Sequence, residues 1–160
     1  MDAEFTALAE LVLDQWREFV AARPSRGGLV KFHTCNKFLI LAHSEFHYRQ
    51  LGPLVAAPRA IPLDELIDRY GQGLAEALSR TPSRGSHVNV LQHLAGMCKK
   101  ALDPHQQKEL VRAIEAYGAG QVPLDVPRDL LRHHAHAIGQ TYVLAQSYLA
   151  PSSRWLARQS

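Results

Sequence analysis

LVKFHTCNKFLILAHSEFHYRQLG, residues 29–52, is the stretch that decides the fold class. It reads as one long helix, apolar on most sides, that also carries His33, Lys37, His43, Ser44, His47, Tyr48 and Arg49. At about 100° per residue, His33, Lys37, Ser44, His47 and Tyr48 fall within one sector, with His43 beside His47. Burying such groups without partners costs on the order of 1–3 kcal/mol each, and more for a charge. The sector therefore predicts either a site or a tightly specified polar network.

Outward from this stretch, helical signals follow one another. A first amphipathic helix spans about 3–22 and stops at Arg23-Pro24. The central helix is expected to end at Gly52-Pro53, and residues 53–61 form a connector. A third helix starts near Pro62 and runs to about Ser79, with Asp64, Glu65 and Asp68 early in it. Ser86 is a plausible N-cap for a fourth helix. Asp103-Pro104 starts a fifth that ends at Tyr117, Pro127 opens a sixth that ends near Gly139, and a short last helix covers about 140–149. No sustained period-2 alternation and no hairpin dipeptide occurs. The expectation is an all-α, single-domain bundle of about six to seven helices.

A chain of 160 residues with 46% apolar and 21% charged residues can close one ordinary core. No apolar run approaches the ~20 residues of a membrane span, and the acidic N-terminus lacks the basic region of a secretory signal. A cytoplasmic protein with no membrane partner is expected. Cys35 and Cys98 show no paired or finger spacing, so free thiols are expected. The net charge is only +3, but it is skewed. Asp2, Glu4, Glu10, Asp14 and Glu18 make the first helix acidic, whereas Arg80, Arg84, Lys99, Lys100, Lys108, Arg112, Arg128, Arg132, Arg154 and Arg158 follow. Such asymmetry favours a polyanionic partner and is equally compatible with a solvated basic face.

Two further helices carry candidate chemistry. On the fourth, Asn89, Gln92, His93, Gly96 and Lys100 share one face with Lys99 at its edge, and a network with the central helix is expected. On the sixth, Arg128, Arg132 and His136 line one side and make a reasonable phosphate clamp, while His133 and His134 point elsewhere. His43 and His47 have chelating spacing, but HSEFH is not the HExxH of metalloproteases, so hydrogen-bonded core histidines are the preferred reading. Adjacent helical residues point apart, so His43, Ser44 and Glu45 do not form a triad. No metal, cofactor or catalytic residue is assigned.

The residues FHTCNKFLILAHSEFHYRQLGPLVA, HVNVLQHLAGMCKKAL, VPLDVPRDLLRHHA and YVLAQSYLAP, in this order over about 29–151, resemble the four blocks of the YbgA-like family of bacterial domains. The matching positions are His33, Lys37, His43, Ser44, Tyr48, Arg49, Asn89, Gln92, His93, Lys99, Arg132, His133 and His134. The domain layout implied is 1–28, an N-terminal helix and loop; 29–151, the YbgA-like domain; and 152–160, a tail. Members of that family occur alone or fused behind a domain that holds a 4Fe–4S cluster. The fused proteins are tRNA 4-thiouridine desulfidases, in which the YbgA-like part is thought to grip tRNA. Two departures stand out. Met97-Cys98 replaces a frequent aromatic, and with only Cys35 and Cys98 this chain is not expected to build the cluster or perform desulfidase chemistry by itself.

The resemblance and the basic skew imply a helical nucleic-acid-binding module for tRNA or another RNA. Lys37, Arg49, Lys99, Lys100, Arg128 and Arg132 would meet phosphates, and His47, Tyr48, His93 and His133 would meet unpaired bases. One alternative is a small-ligand or enzymatic pocket lined by His33, Lys37, His43, Asn89, His93 and His133. Another is a subunit that docks on a separate desulfidase through the first helix.

Overall fold

The computed structural model describes residues 2–57 and 59–150. Among these the chain is all-α, with helices α1 (Asp2–Ala21), α2 (Arg26–His43), α3 (Glu45–Val55), α4 (Leu63–Leu78), α5 (Arg84–Cys98), α6 (Pro104–Gly118), α7 (Asp125–Ala137) and α8 (Thr141–Leu144). Short 3-10 turns cover Lys99–Ala101 and Ser147–Leu149. No described helix is long and apolar enough to cross a membrane. The tail expected over 152–160, with Arg154 and Arg158, lies outside the described residues.

The central stretch is two helices rather than one. Ser44 adopts extended backbone angles, φ −160° and ψ 106°, and serves both neighbours. Its N–H donates to Ile40 O at 2.8 Å to close α2, and its carbonyl accepts from Tyr48 N at 3.0 Å to open α3. Its hydroxyl accepts from His47 N at 3.3 Å. A serine that satisfies backbone groups on both sides makes such a break cheap. Hydrophobic periodicity does not register it, because the apolar run continues straight through. The break also ends the geometry of a single polar sector. Beyond it, α3 runs three residues past Gly52, with exposed Pro53 inside it.

The core is organised around α2, whose residues Phe38 to His43 are all buried and which packs on α3, α4, α5 and the Ser147–Leu149 turn. The first helix shares this core: Phe5, Ala9, Val12 and Trp16 of α1 are buried in it. Gly71 permits the α1–α4 contact, since a Cβ there would lie 2.8 Å from Trp16 Nε1. The N-cap of α5 is Ser83 rather than Ser86. Ser86 is its capping-box partner one turn later, and its hydroxyl also lies 2.7 Å from Ala42 O, which ties the start of α5 to the end of α2.

Candidate functional site

The polar residues of 29–52 separate into local pairs. His33 Nδ1 meets the Tyr70 hydroxyl at 2.9 Å, and burial, helped by Lys37, pushes the imidazole down to about 4. His43 Nδ1 donates to Leu39 O at 2.8 Å, and burial lowers its pKa, so the ring is held neutral with Nε2 as the lone-pair nitrogen. His47 lies 2.7 Å from Ser44 Oγ through Nδ1, and its Nε2 donates to Glu76 Oε2 at 3.1 Å. Lys37 rests over the rings of Phe38 and Tyr142, 5.3 and 5.2 Å from their centroids. Tyr48 is half-buried against the core, and exposed Arg49 pairs with Glu45 at 2.9 Å.

The face of α5 expected to meet α2 points to solvent. Gln92, His93, Lys99 and Lys100 are exposed and Asn89 is half-buried. The Asn89 and Gln92 side chains find no hydrogen-bond partner among the described residues, and His93 makes only a ring contact with Phe38 at 6.3 Å. The expected network is absent because α5 packs through the opposite stripe, His87, Val90, Leu91, Leu94 and Cys98. Of the residues expected to line a pocket, His43 and Asn89 do share one cleft, whereas His33, Lys37, His93 and His133 are not in its lining.

One residue missed by sequence reasoning is His87, at the centre of a buried polar network. Its Nδ1 meets the Tyr148 hydroxyl at 2.8 Å and its ring packs edge-on against Phe5 at 4.7 Å. Burial, with Arg128 and His43 nearby, lowers it to about 4. The detectable signal is its position opposite Asn89 and Gln92, on the apolar stripe of α5. Beside it, Arg128 is 2% exposed. Arg128 Nε and Nη2 donate to Tyr148 O at 3.1 and 2.7 Å, and Nη2 also reaches Ala150 O at 3.1 Å. Its Nη1 lies 3.6 Å from Glu4 Oε1. Arg132 donates to Leu149 O at 2.8 Å and to Ala150 O at 3.1 Å, and pairs with Asp129. The two α7 arginines expected to clamp phosphate thus clamp the chain's own carbonyls, which removes Arg128 from any surface. His134 is buried with Nε2 3.4 Å from Glu109, whereas His133 is exposed.

Two concavities open on α5. At its C-terminal half, a groove of about 620 Å³ between α5 and α6 has Leu110 and Ile114 in its wall and Gln92, Lys99, Lys108 and Arg112 along it. Lys99, Lys100, Lys108 and Arg112 are all exposed. None of the four has an ion-pair partner among the described residues. At the N-terminal end of α5, a polar cleft of about 490 Å³ is lined by His43, Ser44, Phe46, Arg80, Ser86 and Asn89. No group of three or more His, Cys, Asp or Glu residues able to hold a metal occurs among the described residues.

This arrangement defines an all-α domain with a buried arginine–histidine clamp, a largely apolar groove rimmed by cations between α5 and α6, and a polar cleft at the start of α5. Comparison with known proteins then places it. Residues 37–153 match the family described as "Protein of unknown function (DUF1722)". The chain is also 31% identical over 125 residues to the Escherichia coli (strain K12) protein described as "Uncharacterized protein YbgA", covering 78% of this chain and 74% of that one. The chain belongs to this YbgA-like family. No solved structure matches it.

Proposed function

We propose that the protein is a cytoplasmic RNA-binding module, with tRNA as its ligand, and that it binds through the α5–α6 face. The observation that carries this reading is the group of four exposed, unpaired cations, Lys99, Lys100, Lys108 and Arg112, beside a groove large enough for a nucleotide-sized group. Phosphate contacts from such cations supply affinity, and the exposed Gln92 and His93 on adjoining α5 offer hydrogen bonding and stacking to unpaired bases. The domain has no desulfidase chemistry of its own in this reading. Any such chemistry comes from a separate desulfidase protein that shares the RNA.

Titration with total tRNA at two salt concentrations tests it. A dissociation constant in the micromolar range that weakens steeply with salt is expected. The Lys99→Ala/Lys100→Ala/Lys108→Ala/Arg112→Ala variant is expected to flatten the salt slope by about 3, since each phosphate left unneutralised lowers it by ~0.7–0.9. Affinity weaker than ~100 μM with no salt dependence would overturn the proposal.

A further inference from the structure

Ser44, His47 and Glu76 form a relay that the cation face does not use. Carboxylates only accept, so the 3.1 Å contact of His47 Nε2 with Glu76 Oε2 fixes the proton of a neutral ring on Nε2. Nδ1 is then a lone pair, and the Ser44 hydroxyl 2.7 Å away donates to it. Ser44 sits at the N-terminus of α3 with His47 one turn later. The Ser-x-x-Lys motif of penicillin-binding enzymes places its nucleophile three residues before a lysine. Ser44 also lines the polar cleft. Glu45 and Phe46, the first residues of α3, have backbone N–H groups with no acceptor among the described residues. His43 supplies a second, independent feature. It is buried and lines both this cleft and an adjoining one of about 260 Å³. Its Nε2 finds no donor among the described residues.

We propose that this cleft is a serine esterase site for a small polar ester or thioester, with Ser44 as nucleophile, His47 as general base and Glu76 as positioning residue. Arg80, exposed at the rim and without an ion-pair partner among the described residues, selects an acyl substrate bearing a negative charge, since Glu45, the carboxylate in the same lining, is paired with Arg49. Ser44 Oγ attacks the acyl carbon while its proton passes to His47 Nδ1. The imidazolium returns that proton to the departing alcohol or thiol. Water then attacks the acyl-serine, again giving its proton to His47, which hands it back to Ser44 Oγ as the acid leaves. One ester and one water become one acid and one alcohol. The first N–H groups of α3 stand where a negatively charged oxygen is favoured during each attack.

The test uses diisopropyl fluorophosphate, which phosphorylates activated serines with loss of fluoride, followed by peptide mass spectrometry. The wild-type protein is expected to carry the adduct on Ser44. Ser44→Asn, which retains an N-cap for α3, is expected to carry none. His47→Gln is expected to label at least ~100-fold more slowly. Glu76→Ala changes an exposed helical position and keeps the fold. It is expected to slow labelling by on the order of tenfold. It should also mix the two His47 tautomers in ¹⁵N-imidazole spectra, a signature that mere loss of packing would not give. Absence of an adduct on Ser44, under conditions that saturate a reference serine hydrolase, would overturn the proposal. So would labelling that His47→Gln leaves unchanged.

Discussion

Arg128 and Arg132 on α7 carry the same charge as Lys99, Lys100, Lys108 and Arg112 beside α5 and α6, and the fold treats the two groups oppositely. The α7 guanidinium groups are turned inward onto the carbonyls of Tyr148, Leu149 and Ala150, with Glu4 and Asp129 beside them. The α5–α6 cations stand in solvent with no carboxylate within ion-pair distance among the described residues. Charge alone does not distinguish a structural cation from one free to meet a partner. What distinguishes them is whether the fold has already supplied the acceptors.

The largest expected effect comes from breaking the inward set. Arg128→Met leaves the buried Tyr148 carbonyl without its donor, Ala150 O with Arg132 alone, and the Glu4 carboxylate without its ion-pair partner, and should cost about 3–5 kcal/mol in urea denaturation. A loss below about 1 kcal/mol would mean that the clamp is incidental.

Acid should act on the buried histidines, one of them, His87, beside this clamp. His33 and His87 have folded pKa values of about 4 against 6.5 for an ordinary histidine. The unfolded chain therefore takes up protons between pH 6.5 and 4 that the folded chain refuses. Stability is full above pH 6.5 and falls as pH drops towards 4, by on the order of 3 kcal/mol for each ring. Urea midpoints measured across that range would show the fall, and His87→Gln should remove that ring's share of it while leaving those of His33 and His43.

Smaller still is the cost of Ser44→Ala. It removes the hydroxyl that caps α3, while the backbone bonds of residue 44 to Ile40 O and Tyr48 N remain, and should lower stability by about 1 kcal/mol on thermal or urea unfolding. At the other extreme, single alanine substitutions of Lys99, Lys108 or Arg112 should leave stability within about 0.5 kcal/mol of wild type. A larger loss would show that these cations too are structural, and would erase the contrast with α7.

The helical class and most boundaries are legible because capping residues and prolines act locally: Asp103-Pro104 starts α6, and the apolar stripes of α4 and α6 are periodic. The break at Ser44 is not legible, because the apolar period runs through it and only the three-dimensional turn shows that one serine serves two helices. The buried role of Arg128 is hidden for a related reason. Its partners are backbone carbonyls some 20 residues away in sequence, and carbonyls carry no residue-type signal. The relay through Glu76 is equally hidden, since it joins α3 to α4 across 29 residues. By contrast, periodicity does place Asn89, Gln92, His93 and Gly96 together on one face of α5, yet that face lies outside rather than within the bundle, and Lys100 falls beyond α5 in the Lys99–Ala101 turn. The helical period identifies a face without saying which face is buried when both are mixed in polarity, as here with His87 on the buried side.

Lysine-acetylation footprinting with and without tRNA, read by mass spectrometry, tests the contrast most directly. Lys99, Lys100 and Lys108 should lose reactivity when tRNA is added, while exposed Lys31 on α2 keeps its own. Unchanged reactivity at all four lysines, or equal protection of Lys31, would contradict the claim that the α5–α6 cations are the RNA-binding set.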